Sequence, residues 1–139
     1  MIKKVFADSG FFIAVVNKED GVHRLALSVL ESFFKSGTEF VTTDYVLDEV
    51  FTWMRCKIKL PVSEVVRFAN SLQVGQMSIV NINKNIFGKA FEMMVRYDDH
   101  FFSFTDCVSF AVMKELKIKD AVTTDKHFAE AGFNNLLTK

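Results

Sequence analysis

The chain has 139 residues, a common size for a single folded domain, and half of its residues are hydrophobic. Its 17 basic and 17 acidic residues cancel to a formal charge of zero, which argues against a protein that holds nucleic acid through bulk positive charge. The sequence shows neither a secretory signal nor an apolar run of about 18 residues, so we expect a soluble, cytoplasmic protein without a membrane span. The two cysteines, Cys56 and Cys107, are interpreted as free thiols.

Apolar runs alternate with amphipathic segments along the chain, which predicts strands alternating with helices and therefore a parallel sheet covered on both faces. The predicted strands span 4–7, 39–42, 78–82, 121–124 and 134–137. The predicted helices span about 10–16, 23–35 and 84–97, with others beginning after Thr43 or Asp44, at Pro61, after Ser103 and within 126–132.

Cap residues mark the ends of several predicted helices. Ser9, Asn83 and Ser103 are expected to cap helix starts, and Gly37 is expected to end the second helix. The helix after Ser103 is almost entirely apolar, so it should be buried on more than one side.

Four acidic residues are predicted to meet at one edge of the sheet. Asp8 ends the first strand and Asp125 the fourth, at the strand ends where open α/β sheets place their sites. Glu49 borders the apolar stripe of the third helix, and Asp106 lies in the first turn of the most apolar helix. Carboxylates placed this way would repel one another unless a cation joined them, and such oxygen ligands suit Mg²⁺ or Mn²⁺ better than zinc.

Each acid also has a purely structural interpretation. Asp8 and Asp125 could cap the helices that follow them, and Asp106 has the spacing of a capping box with the serine three residues before it. Asp48 could face inward in place of Glu49 if the helix were rotated. From these residues alone, a metal site and a set of helix caps both remain open.

The acids lie in four segments that follow one another in order and cover most of the chain: VFADSGFFIAV, VTTDYVLDEVFTWMR, YDDHFFSFTDCVSFAVMKEL and AVTTDKHFAEAGF. This set resembles PIN-domain proteins, and especially VapC-type toxin ribonucleases, whose acidic positions map onto Asp8, Glu49, Asp106 and Asp125. The resemblance implies a single PIN domain over 1–139, an α/β fold of three layers with a parallel sheet of order 3-2-1-4-5 flanked by helices.

The same resemblance implies a hydrolase, a Mg²⁺- or Mn²⁺-dependent endoribonuclease that cuts single-stranded or looped RNA as the toxin of a type II toxin–antitoxin pair. Asp8 and Asp106 would bind metal, Glu49 would complete the site or orient water, and Asp125 would act as a ligand or anchor. Ser9 and Thr105 could steady water or phosphate, or could simply be caps. The implied partners are RNA, a small antitoxin protein and a second copy of the chain in a homodimer.

Two other functions compete with this one. A non-catalytic PIN scaffold could bind RNA or protein, although it would have no reason to keep four mutually repelling acids. A phospho-acceptor receiver domain also has acids at strand ends, but it expects an aspartate after the third strand, where this chain has VNINKN.

Other polar residues receive lesser roles. The histidines lack metal-site spacing and are interpreted as surface or packing residues: His23, His100 and His127. The basic residues that are candidates for phosphate contacts are Arg55, Lys57, Lys59 and Lys126.

Three adjacent phenylalanine pairs cannot point both rings the same way: Phe11–Phe12, Phe33–Phe34 and Phe101–Phe102. Either some rings meet another chain, or their helices are packed on several sides within one domain. The pairs and Trp53 are interpreted as core or interface rather than as base-stacking platforms. The helix with Phe33 and Phe34 and the helix with Trp53 and Met54 are candidate walls of a groove for an antitoxin helix.

Overall fold

The computed structural model describes residues 3–137, apart from the side chain of Val74. The strands are β1 (Lys4–Ala7), β2 (Glu39–Thr43), β3 (Met77–Val80), β4 (Asp120–Val122) and β5 (Asn134–Asn135). The helices are α1 (Ser9–Val16), α2 (His23–Ser36), α3 (Asp44–Thr52), α4 (Val62–Val74), α5 (Lys84–Arg96), α6 (Phe104–Glu115) and α7 (His127–Glu130), with a π-helical turn at Trp53–Lys57. Within this part of the chain, no helix has the length and apolar character needed to cross a membrane.

The five strands form one parallel sheet in the order β3-β2-β1-β4-β5, so the α/β fold and the strand order expected from the resemblance are confirmed. From β1 at the centre, the chain adds β2 and β3 on one side and then crosses to the other side of β1 to add β4 and β5. The carboxyl ends of β1 and β4 therefore lie side by side. This is the edge at which α/β proteins of this kind place their ligands.

Several predicted caps account for where helices begin and end. Thr43 caps α3 by accepting a hydrogen bond from the amide of Val46 at 3.1 Å. Asn83 caps α5 in the same way, accepting from the amide of Ile86 at 2.9 Å. Gly37 ends α2 with a φ of 75°, a left-handed conformation that glycine adopts without steric cost.

Other predicted boundaries are wrong. Ser9 is the first residue of α1 rather than its cap, because Asp8 keeps an extended backbone (φ −91°, ψ 167°) and the helix starts directly after it. The fourth strand ends at Val122, so Asp125 lies in the loop beyond the strand. The third strand begins and ends earlier than predicted, and the fifth is shorter, because it pairs with only two residues of β4.

The core occupies both faces of the sheet. Residues 5–7 of β1 and residues 107–113 of α6 are fully or almost fully buried, so α6 is buried on more than one side as expected. Phe11 and Phe12 are both buried, at 1% and 3% exposure, because α1 packs against both α2 and α3. For this pair, the interpretation of a helix packed on several sides within one domain is therefore confirmed. Phe34 and Phe101, by contrast, are exposed at 62% and 94%.

Candidate active site

The four predicted acids lie in one open cleft of about 650 Å³ beyond the carboxyl ends of β1 and β4. Four separate elements bring them there: Asp8 follows β1, Glu49 is in α3, Asp106 is in α6 and Asp125 is in the loop after β4. Asp48 and Glu49 are both exposed, but of the two only Glu49 is among the described residues that line the cleft, so the helix presents Glu49 to it as predicted. The other lining residues are Ser9, Gly10, Ile13, Phe101, Ser103, Thr124, Lys126 and His127.

Asp8 is the deepest of the acids, with only 4% of its surface exposed. It occupies the cap position of α1, but within the described chain its side chain makes no capping hydrogen bond. Burial raises its pKa to about 7; hydrogen bonds from the hydroxyl of Thr123 and the amide of Ser9 oppose this rise, and the charges of Asp106 and Glu49 add to it. Asp8 therefore accepts from the first amide of α1 but lacks the usual capping bond to the second or third residue of the helix, and the expected repulsion between acids is present.

Asp106 does form the capping box suggested by its spacing. Its Oδ2 accepts from the amide of Ser103 at 3.2 Å, and the Ser103 hydroxyl accepts from the amide of Asp106 at 3.0 Å. Burial, with a contribution from the charge of Asp125, raises the pKa of Asp106 although hydrogen bonds lower it. Asp106 is thus both a cap and a cleft residue, so the two interpretations are compatible.

Asp125 likewise combines a structural contact with a place in the cleft, since its Oδ1 accepts from the amide of His127 at 2.9 Å. Nδ1 of His127 lies 3.0 Å from Oδ2 of Asp106 and 3.3 Å from Oδ1 of Asp125. The hydrogen bond with Asp106 is the main cause of a raised His127 pKa. The interpretation of His127 as a surface or packing residue missed this position, for which the only sequence signal is its location two residues after Asp125.

Thr123 is a second residue that the sequence argument missed. Its buried hydroxyl donates to Asp8 at 2.7 Å and accepts from the amide of Asp125 at 3.0 Å, so it links two acids from different elements. A glycine permits the close packing here, because a Cβ on Gly10 would collide with the side-chain oxygen of Thr124. The start of α1 and the loop after β4 are therefore held tightly together.

Glu49 lies at the rim of the cleft, with much of its side chain exposed. Partial burial of the carboxyl group raises its pKa, a hydrogen bond from the hydroxyl of Ser9 lowers it, and the charge of Asp106 raises it further. Ser9 thus contacts an acid of the cleft, whereas Thr105 is not among the described residues lining it. The role suggested for Ser9, steadying water or phosphate, stays a prediction.

One of the predicted phosphate contacts, Lys126, lines the cleft. Arg55 instead donates to the carbonyl oxygen of Leu60 at 2.7 Å, beyond the end of α3. Neither it nor Lys57 and Lys59 belongs to the described lining of the cleft.

The cleft offers mainly carboxylate oxygens, the donors that hard divalent cations prefer. One oxygen each of Asp106 and Asp125 and one nitrogen of His127 lie within 4.8 Å of one another, and Asp8 and Glu49 face the same space. Burial is the main cause of the raised pKa values of three of these acids, and repulsion between the acids adds to it. A divalent cation would offset both effects. The acidic cluster is consistent with a metal-dependent nuclease.

Comparisons with known proteins agree with this chemistry. The model of the PIN domain family matches residues 5–134. The chain is 30% identical over 132 residues to the 23S rRNA-specific endonuclease VapC20 of Mycobacterium tuberculosis, covering 93% of this chain and 95% of that protein. It is 29% identical over 125 residues to a VapC ribonuclease of Archaeoglobus fulgidus, covering 88% and 77% of the two chains.

Solved structures show the same relationship. The crystal structure of VapC20, described as a toxin that cleaves the sarcin–ricin loop, superposes with a TM-score of 0.80 at 28% identity over 93% of this chain and 95% of that one. A toxin–antitoxin complex from Klebsiella pneumoniae matches with a TM-score of 0.63 over 88% and 87% of the two chains. Its identity of 16% supports similarity of fold alone.

Proposed function

Because the chain belongs to the PIN-domain family and to its VapC-type toxin ribonucleases, we propose that the cleft of Asp8, Glu49, Asp106 and Asp125 is where it hydrolyses RNA. The convergence of four acids from four elements into one cleft carries this proposal. A purely binding scaffold would gain nothing from carboxylates whose burial and mutual repulsion raise their pKa values.

Mg²⁺ or Mn²⁺ would be held by these four carboxylates, with Asp8 and Asp106 as the principal ligands. When bound, the ion would supply positive charge against the scissile phosphate and lower the pKa of an attacking water. The chain's own contribution is to position the acids: Thr123 fixes Asp8, Ser103 fixes Asp106, and Lys126 offers positive charge for a phosphate oxygen.

The substrate we propose is an exposed loop of ribosomal RNA. The chain would act as a single PIN domain and would cut this RNA in the cytoplasm. The relative that supports this choice is named for 23S rRNA and is described as cleaving the sarcin–ricin loop. Labelled loop RNA should be cut with Mn²⁺ and remain intact with a chelator, whereas a fully paired duplex should resist. Absence of metal-dependent cleavage of any RNA would contradict the proposed function.

An antitoxin would occupy an apolar groove of about 420 Å³ between α1, α2 and α4. Leu27 and Phe34, exposed at 41% and 62%, form part of its wall. An amphipathic helix could bury its apolar residues there. The groove differs from the predicted one, because Trp53 and Met54 are outside its described lining and Met54 is buried in the core.

Binding in this groove would inhibit the enzyme if a basic residue after the antitoxin helix reached the acids. α1 lines both sites, so the distance to be crossed is short. Truncating that basic tail should therefore weaken inhibition while the complex persists. Sedimentation with the product of the neighbouring gene tests the pairing, and a chain that ignores it at micromolar concentration would contradict the toxin role while leaving the nuclease role intact.

A second copy of the chain would pack against α5 in a homodimer. Phe87, Phe91 and Val95 are exposed at 46%, 55% and 60% and lie four residues apart, on one face of that helix. A Phe91→Lys variant should sediment as a monomer where the natural chain sediments as a dimer. A natural chain that is monomeric at micromolar concentration would contradict this part of the proposal.

A further inference from the structure

Phe101 is a large apolar residue whose position is not explained by packing within the fold. Its exposure of 94% is larger than that of the other large apolar residues in the described chain, and the residue is among those that line the acidic cleft. Burying a phenylalanine side chain stabilises a protein, and the fold gains almost none of that stabilisation here. The next residue, Phe102, is buried at 7% exposure.

The backbone that follows Phe101 is fixed. The ring of Phe102 packs against Tyr97 (5.6 Å between centroids), Phe110 (5.2 Å) and His127 (5.2 Å). The amide of the following residue, Ser103, bonds to the carboxylate of Asp106. These contacts tie the segment to the site and fix where the backbone of Phe101 lies on the rim, so less backbone entropy is lost when the ring binds a ligand.

The cleft also contains the acids and Lys126, which the proposed function assigns to one phosphate of RNA. The base next to that phosphate needs a flat surface to stack on once it is no longer stacked on the neighbouring bases. Proteins that bind unpaired RNA supply this surface with aromatic side chains, because each base has a flat face that stacks on them. Two aromatic side chains are among the described residues that line the cleft, Phe101 and His127. His127 is bonded to Asp106 and packs on Phe102, so Phe101 is the ring that is left exposed.

We propose that Phe101 stacks on an unpaired base beside the scissile phosphate and so positions single-stranded RNA in the cleft. The inference rests on the proposed ribonuclease function and assigns a positioning residue to it. It revises the interpretation of the Phe101–Phe102 pair, since Phe102 belongs to the core and Phe101 is a stacking platform. It also explains selection for loops, because in a duplex both faces of each base are already covered.

Steady-state cleavage of a single-stranded RNA by three variants tests the proposal. Base stacking is worth about 1–3 kcal/mol per base, which corresponds to a roughly 5- to 150-fold change in binding. Phe101→Ala should raise KM within that range, with a much smaller change in kcat. Phe101→Leu keeps an apolar side chain without a flat face and should resemble Phe101→Ala, whereas Phe101→Trp should restore the natural KM.

A binding measurement separates this inference from the ribonuclease proposal. RNA carrying 2-aminopurine beside the cleavage position is titrated with Asp106→Asn protein in the presence of Mn²⁺, with and without the Phe101→Ala change. Stacking should quench the fluorescence only when Phe101 is present. An unchanged KM in Phe101→Ala, a natural KM in Phe101→Leu, or an effect confined to antitoxin affinity would overturn the inference. Absence of cleavage by the natural chain would instead contradict the ribonuclease proposal. The same titration, with 2-aminopurine at an unpaired position of the test RNA, would then show whether Phe101 stacks on a base.

Discussion

The acidic cleft and the apolar groove use opposite faces of the same short helix. Residues 9, 10 and 13 of α1 line the cleft, and residues 11, 12 and 15 line the groove. The cleft contains groups that are costly to bury and are held by hydrogen bonds, whereas the groove is a surface of aliphatic and aromatic side chains. One helix of eight residues therefore separates the proposed catalytic chemistry from the proposed inhibitor site, so a ligand of the groove can act on the cleft without a large conformational change.

The largest effect that would separate the two regions is loss of catalysis. Asp106→Asn retains the capping oxygen but removes a charge, so RNA cleavage should fall by more than the roughly 10- to 100-fold that is typical when a group behind a metal ligand is lost. Stability should change by at most about 1 kcal/mol, and antitoxin binding in the groove should persist. Asp98→Asn, at an exposed carboxylate outside the described cleft lining, is the control. A folded Asp106→Asn protein with near-natural cleavage would exclude Asp106 from the site.

A variant in the groove should do the opposite and weaken antitoxin binding without affecting RNA cleavage. Phe34→Asp places a charge where an apolar anchor should dock, and losing the burial of one phenylalanine costs about 1.5–3 kcal/mol. Antitoxin affinity should therefore fall by roughly 10- to 100-fold, while RNA cleavage by the free chain stays unchanged. Val66→Asp on α4, also exposed but outside the described groove lining, should leave both properties intact. Equal loss of affinity in both variants would mean that the groove is not the docking site.

A smaller effect concerns pH and is specific to the cleft. The pKa of Asp8 is about 7 in the folded chain against an ordinary 3.8, so between these values the folded state binds the proton more strongly than the unfolded state. The contribution of Asp8 to the free energy of unfolding is fully present below the pKa that Asp8 has in the unfolded chain. It is lost as the pH rises through the pKa of Asp8 in the folded chain. Without metal, the melting temperature should thus fall from pH 5.5 to pH 8, and Asp8→Asn should flatten this slope. A metal-free chain that becomes more stable over that range would contradict the assignment.

The smallest effect, on stability alone, is expected from a residue of α6 that is outside the described lining of the cleft. The hydroxyl of Ser109 in α6 is the buried side-chain polar atom that lacks a hydrogen-bond partner among the described residues. Removing such a group relieves a desolvation penalty, so Ser109→Ala should stabilise the chain by about 1 kcal/mol without altering cleavage. Ser32→Ala, at an exposed position of α2, measures the contribution of helix propensity alone. A clear loss of stability or activity in Ser109→Ala would show that the hydroxyl has a partner in solution.

Local patterns predicted the parts of the fold that depend on neighbouring residues. The cap formed by Asn83, the left-handed end at Gly37 and the capping box of Asp106 each involve groups within a few positions of one another. The family resemblance supplied the strand order, which no single segment could reveal. It also supplied the set of acids, and the structure brings these acids into one cleft.

The missed features depend on contacts between distant segments. The link from Thr123 to Asp8 spans 115 positions, and a buried threonine at a strand end has no local signature. His127 reaches Asp106 across 21 positions because the loop after β4 folds over α6. The burial of both Phe11 and Phe12 follows from the packing of α1 between α2 and α3, which residue periodicity cannot show.

The melting temperature as a function of Mn²⁺ concentration, measured for the natural chain and for Asp8→Asn, tests most directly whether the acids share a divalent ion. Preferential binding to the folded state should raise the melting temperature of the natural chain as Mn²⁺ increases. Asp8→Asn should lose most of this response and, without metal at pH 8, should melt at or above the temperature of the natural chain, because a buried charge is gone. A natural chain whose melting temperature stays constant up to millimolar Mn²⁺ would contradict a shared metal site.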